Sequence, residues 1–157
     1  MVHTSNSLEE TERLTEIFVE FIKQNPAFNV YGFSGDLGSG KTAFTKSLAK
    51  ILGISDYVTS PTFVIQKKYL IPAPDFPFKT LVHIDSYRLE SGRELEALHF
   101  KETLEDSDNL ILIEWPEKVE DVVKTMLPIP SQNFPVLTFT FVDDYTRTIE
   151  FPAIMEA

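Results

Sequence analysis

The residues Gly35-Asp36-Leu37-Gly38-Ser39-Gly40-Lys41-Thr42 satisfy G-x-x-x-x-G-K-[ST] at every constrained position. An apolar run, Val30 to Phe33, precedes them. A helical pattern from Lys41 to Leu52 follows, with Phe44, Leu48 and Ile51 on one face and Gly53 placed to cap its end. A strand, a glycine-rich turn and a helix in direct succession leave few architectures open. The glycines let the chain turn so that successive backbone N–H groups point inward, and the helix N-terminus adds its dipole. Such a concavity binds phosphate, so residues Gly35 through Ala43 are the expected nucleotide-binding stretch. Lys41 would reach the β- and γ-phosphates and the Thr42 hydroxyl would ligate Mg²⁺. Both residues are expected at the exposed start of a helix, so alanine at either should abolish function without unfolding the chain.

The remainder of the chain reads as one α/β domain over 1–157. Ser7 and Glu10 form an S-x-x-E capping box. Behind it, Leu14, Ile17, Phe18, Phe21 and Ile22 mark an amphipathic helix that stops before Pro26. The β-branched and aromatic stretch Val58 to Leu70 becomes a strand after Pro61, and the prolines at 72, 74 and 77 place a loop over 71–79. Leu81 to Asp85 and Leu110 to Trp115 are short apolar strands, the second typical of a parallel-sheet interior. Glu94 to Leu104 and Glu117 to Met126 have helical character. Leu137, Phe139 and Phe141 alternate with threonine, Asp143-Asp144 turn the chain, and Thr146 to Phe151 alternate again, as in an antiparallel hairpin. The expected fold is a P-loop NTPase three-layer sandwich, its central mixed sheet built of parallel core strands with antiparallel edge strands supplied by that terminal hairpin.

Composition narrows the chemistry. There are no cysteines, which removes disulfides, thiolate metal sites and cysteine nucleophiles. No stretch approaches the roughly 18 apolar residues of a membrane span, and the N-terminal region lacks a basic start and an apolar run. A cytoplasmic location is expected. Net charge is −10, and Glu90 to Asp121 holds eleven acidic residues against Arg93, Lys101 and Lys118. Such a surface repels phosphate backbones, so contact with nucleic acid is expected only through other proteins.

A phosphate loop needs an acidic residue at the end of a neighbouring strand, to hold the metal or its water. Asp85 and Glu114 both end apolar strands in this way. Spacing alone leaves their division of labour open. Thr62, after Ser60-Pro61, stands where a switch segment would sense the γ-phosphate. Arg88 is a candidate for contacting transferred charge or a partner. His83 shares a strand face with Asp85, so it is either near the site or a packed core histidine. Trp115, the only tryptophan, is placed beside Glu114 as a nucleotide-sensitive or partner-facing ring.

No N-K-x-D guanine signature and no D-x-x-G switch occurs, which leaves ATP and ADP as the expected nucleotides. No arginine-rich lid of the kind a metabolite kinase uses is visible. Taken together, Gly35–Thr42, Ser60-Pro61-Thr62-Phe63, His83-Ile84-Asp85-Ser86-Tyr87-Arg88 and Ile113-Glu114-Trp115-Pro116-Glu117 resemble the motifs of the TsaE (YjeE) family, in that family's order and over nearly the whole chain. Ser39 stands where the family often has alanine. The segment 71–79 matches none of its motifs.

This resemblance implies an ATPase required for threonylcarbamoyladenosine modification of tRNA. Lys41 and Thr42 would hold phosphate and Mg²⁺, with Glu114 in the metal shell and Asp85 the second acidic group needed for hydrolysis. Ser60 to Thr62 would act as a switch. The implied partners are TsaD and TsaB, with ATP hydrolysis resetting them between turnovers, so activity would be weak alone and higher in their presence. The two rival readings are a small-molecule kinase and a nonenzymatic nucleotide-gated adaptor.

Overall fold

The computed structural model describes residues 1–56, 58–59, 65–127 and 133–155. The chain opens with β1 (Val2–Ser5) and α1 (Leu8–Gln24). Ser7 caps α1: its hydroxyl accepts from the Glu10 N–H at 3.1 Å. The Glu10 carboxylate does not complete the expected box on Ser7. It accepts instead from the Asn6 N–H at 2.7 Å, one residue earlier. Leu14, Phe18, Val19 and Ile22 face the core, while Ile17 is half exposed. The helix therefore rolls its apolar stripe towards Val19, and Ile17 of the expected face lies outside it.

Then come β2 (Val30–Ser34) and α2 (Lys41–Ile51), the strand and helix that flank the glycine-rich loop. Gly53, at φ 75°, follows α2 as expected. β3 (Gln66–Leu70), β4 (Thr80–Asp85), the short helices α3 (Arg93–Glu96) and α4 (Phe100–Glu105), β5 (Asn109–Glu114), α5 (Glu120–Met126), β6 (Val136–Phe141) and β7 (Arg147–Glu150) follow, with short 3-10 helices at Pro116–Lys118 and Ala153–Met155. The expected helix over Glu94 to Leu104 is two pieces, because His99 adopts φ 54° and breaks the ladder between them. Trp115, expected within a strand, also takes the left-handed conformation, at φ 57°, and ends β5 at Glu114. Ser60, Pro61 and Thr62 lie outside the described residues.

The strands form a seven-stranded sheet in the order β1-β7-β6-β2-β5-β4-β3. β6, β2, β5 and β4 are parallel neighbours, and β3, β7 and β1 join antiparallel. The mixed P-loop sheet is thus present with antiparallel edges, but the terminal hairpin does not form one of them. β6 is a parallel core strand, and β1 covers β7, with Val2 opposite Glu150 and Ser5 opposite Arg147. Side chains alternate between the faces. Tyr31, Phe33, Leu81, Leu110, Leu112, Leu137 and Phe139 pack beneath α1 and α2. Val82, Ile84, Ile111 and Ile113 pack with Leu95, Phe100, Val119 and Val123 on the opposite face. That is the three-layer arrangement.

An aromatic cluster fixes the loop's two anchors. Phe33, just before the loop, meets Phe44, just after it, edge-on at 5.5 Å between ring centres, and both are fully buried. Phe18 of α1 and Phe139 of β6 close on the same pair. Rings packed at such spacing add about 0.5–1.5 kcal/mol per pair beyond burial. The loop is held between rigid ends by this packing.

Candidate functional site

Parallel β2, β5 and β4 all deliver their C-terminal ends to one edge of the sheet, where α/β folds bind ligands. β1 runs the same way as β6, since both pair antiparallel with β7, so Ser5 and the start of α1 reach that edge too. A cleft of about 600 Å³ opens there. It is lined by Leu37 to Ala43, by Asp85, Tyr87, Glu114 and Trp115, and by Ser5, Leu8, Thr11, Tyr145 and Arg147 from the ends of the chain.

The loop has the backbone that the motif requires. Gly35, Gly38 and Gly40 all have positive φ. At Gly35, with φ 142°, an added Cβ would sit 2.2 Å from the Phe139 carbonyl oxygen of β6. Only glycine lets the loop leave β2 that close to its neighbour. At Gly38 the added Cβ would meet nothing within 4 Å. Asp36 and Leu37 form the exposed outer arm, and Ser39 is buried behind it.

Lys41 is buried, at 5% exposure, which corrects the expectation of an exposed helix start. Thr42 and Ala43 are half-buried and line the cleft. The Lys41 ammonium donates to the Gly35 carbonyl, and to the Asp36 carbonyl at 3.0 Å. It also lies 4.8 Å from the centre of the Trp115 ring. Burial lowers its pKa, and the charges of Glu114, Asp85, Glu117 and Asp36 oppose that shift. The lysine therefore sits over the loop's own carbonyls, poised beside two carboxylates.

The two strand-end acids stand side by side. The parallel register pairs Asp85 directly with Glu114, and pairs Glu114 with Phe33 on its other side. Their exposures are 4% and 3%. Asp85 accepts the Tyr87 N–H on Oδ1 at 2.9 Å. Glu114 Oε1 accepts from His83 Nε2, also at 2.9 Å. His83 is thus a fully buried core residue and also a direct partner of the site. Trp115 packs against Tyr87 at 5.1 Å between ring centres. Arg88 is exposed and does not line the cleft.

The far wall was not foreseen from the sequence. Arg147 donates through Nε to the Gly38 carbonyl at 3.0 Å, tying β7 to the tip of the loop. Its guanidinium also bonds the carbonyls of Asp143 and Thr146 and stacks 4.4 Å from the Phe141 ring. Ser5 and Thr11 share a hydroxyl–hydroxyl bond at 2.8 Å, and Thr146 donates to Asn6 at 3.2 Å. These contacts fix the entry to α1 against the β6–β7 turn. Leu8 and Tyr145 are left on the rim with 76% and 83% exposure. An isolated arginine in a polar hairpin carries no motif, so nothing in its local sequence signalled this role.

Comparison with known proteins gives a consistent result. The family model described as "Threonylcarbamoyl adenosine biosynthesis protein TsaE" matches residues 5–149. Relatives described as "tRNA threonylcarbamoyladenosine biosynthesis protein TsaE" include one from Borreliella burgdorferi, 42% identical over 74% of this chain and 77% of its own. Another, from Bacillus subtilis, is 34% identical over 93% of this chain and 81% of its own. A third, from Rickettsia conorii, is 38% identical over 82% of this chain, which spans 66% of that relative's length. Among solved structures, the crystal structure of Bacillus subtilis YdiB matches with a TM-score of 0.59 at 26% identity, covering 99% of this chain and 88% of that one.

Proposed function

Because the chain belongs to the TsaE family of threonylcarbamoyladenosine biosynthesis proteins, we propose that its cleft binds and hydrolyses ATP in the service of that tRNA modification. The observation that carries this reading is the meeting of a loop with three positive-φ glycines, a buried lysine and two in-register carboxylates in one cleft. The donor set fits a magnesium nucleotide. Backbone N–H groups of the loop and the start of α2 suit phosphate oxygens. Lys41, now on the Gly35 and Asp36 carbonyls, exchanges them for phosphate. Among the described residues no group of three or more His, Asp or Glu side chains could cage a metal. Mg²⁺ is normally held by one or two carboxylates together with substrate phosphates, and Thr42 with Glu114 meets that need. When bound, the ion neutralises charge on the phosphates. Asp85, beside Glu114, then orients the attacking water. The wall formed by Leu8, Thr11, Tyr145 and Arg147 would receive the base. The absence of the N-K-x-D signature favours adenine over guanine.

We take TsaD and TsaB, the partners that the resemblance implies, as the proteins through which hydrolysis would act. The outer face agrees with action through proteins. Glu90, Glu94, Glu96, Glu102, Glu105, Asp106, Glu117 and Asp121 are all exposed, a surface that repels nucleic-acid backbones. Among the described residues no helix is long and apolar enough to cross a membrane.

The test is the rate of phosphate release from ATP by the full chain, alone and with TsaD and TsaB. A low rate that rises several-fold with the partners is expected. A rate indifferent to them would remove the subunit reading, and phosphate appearing on a metabolite rather than in water would replace hydrolysis with a kinase. Trp115 supplies a second measurement. Its emission is expected to change on adding Mg-ADP, because the nearby Lys41 ammonium must shift to meet phosphate. Binding seen by calorimetry with unchanged emission would separate the ring from the nucleotide.

A further inference from the structure

His83 is the one imidazole buried among the strands of the sheet, at 0% exposure. The rest of β4 around it is apolar: Leu81, Val82 and Ile84 are all fully buried. A histidine in such a place loses hydration that leucine or valine would not lose. Its Nε2 contacts Glu114 Oε1 at 2.9 Å, and its Nδ1 has no hydrogen-bond partner among the described residues. Among the described residues the ring therefore joins no wider polar network. Its hydrogen bonding there is spent on one carboxylate, and that carboxylate lines the cleft while the histidine stands behind it.

The register makes this contact specific. Glu114 is directly opposite Asp85, and His83 lies two residues back on the same face, so the ring reaches Glu114 along the diagonal between the parallel strands. A carboxylate can only accept, so Nε2 carries the proton and donates it. With Oε1 engaged from behind, Oε2 is the oxygen left to act in the cleft.

We propose that His83 is a positioning residue. It locks the Glu114 carboxylate in the orientation that serves the magnesium nucleotide, and so sets how strongly Mg²⁺ improves nucleotide binding. The inference rests on the function proposed above. Outer-shell partners of this kind typically change metal affinity by about 10–100-fold when removed.

The experiment measures ADP binding to the full chain by calorimetry, once with Mg²⁺ and once with a chelator. The readout is the ratio of the two dissociation constants. His83→Leu is expected to shrink this ratio by roughly 10-fold while leaving the metal-free affinity within about twofold of wild type. His83→Gln places an amide donor near the position of Nε2 and is expected to keep the wild-type ratio. If His83→Leu does not fold, His83→Asn, whose amide is too short to reach Glu114, takes its place with the same expectation. In a Glu114→Ala background, replacing His83 is expected to change the ratio no further.

An unchanged ratio in His83→Leu or His83→Asn would overturn the proposal. So would a loss of metal-free affinity equal to the loss with Mg²⁺, or a loss in His83→Gln as large as in the leucine variant. A wild-type chain that binds ADP in neither condition would sink the parent function itself, a result distinguishable from all of these.

Discussion

Lys41→Ala is expected to lower ATP hydrolysis by roughly 10²-fold or more, the scale seen when one donor to developing charge is removed. In the proposed function the ammonium is the cation offered to the phosphates, and the charges of Glu114 and Asp85 oppose its loss of charge on burial. Loss of the side chain has two opposed effects on stability. It relieves a desolvated ammonium, and it leaves Asp85 and Glu114 with less neutralisation at 4% and 3% exposure. The melting temperature is therefore expected to stay within about 5 °C of wild type. Steady-state phosphate release and a thermal melt on the same preparation check both halves. A variant that melts normally and hydrolyses ATP at the wild-type rate would remove Lys41 from the mechanism.

Gly35→Ala is expected to damage the fold before any chemistry is tested. Its Cβ would lie 2.2 Å from the Phe139 carbonyl oxygen and 2.9 Å from Ser39 Oγ, at a backbone φ of 142°. The Ser39 hydroxyl can turn aside, but the Phe139 carbonyl is backbone: Phe139 is buried in β6 and its ring is packed against Phe33 and Phe44. Strained φ alone costs about 1–3 kcal/mol, and displacing β6 adds to it. A total of roughly 3 kcal/mol or more places this variant among the severe substitutions. That corresponds to a melting temperature lower by about 6–12 °C for a domain of this size. Gly38→Ala is the control. Its added Cβ meets nothing within 4 Å, so only the left-handed backbone is penalised, by about 1–2 kcal/mol. Urea denaturation of the pair separates the two. Equal midpoints would mean that the approach of Gly35 to β6 does not constrain the loop.

The contrast between these glycines shows what a sequence pattern carries. The motif alone marks Gly35, Gly40, Lys41 and Thr42, and the flanking periodicities correctly assign β2 and α2, because both depend on residues within a few positions of each other. The strand-end acids were legible for the same reason: each terminates its own apolar run. Their adjacency was not, since it depends on the parallel register of β4 and β5. β1 escaped notice because four residues, Val-His-Thr-Ser, alternate too briefly to stand out, and its partner β7 lies at the far end of the chain. The same long-range pairing hid the wall of Leu8, Thr11, Tyr145 and Arg147. No local spacing relates an arginine at position 147 to a glycine at position 38; the sheet order does. His83 shows the opposite case, in which two readings offered as alternatives, core residue and site neighbour, are both true of one side chain.

The central claim is that the cleft at the strand ends holds a magnesium nucleotide on the Gly35–Thr42 loop. Calorimetric titration of the full chain with Mg-ADP tests it most directly. Saturable binding of one nucleotide per chain, abolished or greatly weakened by Lys41→Ala, is the expected result. Absence of heat at millimolar nucleotide, with Trp115 emission equally unmoved, would contradict it.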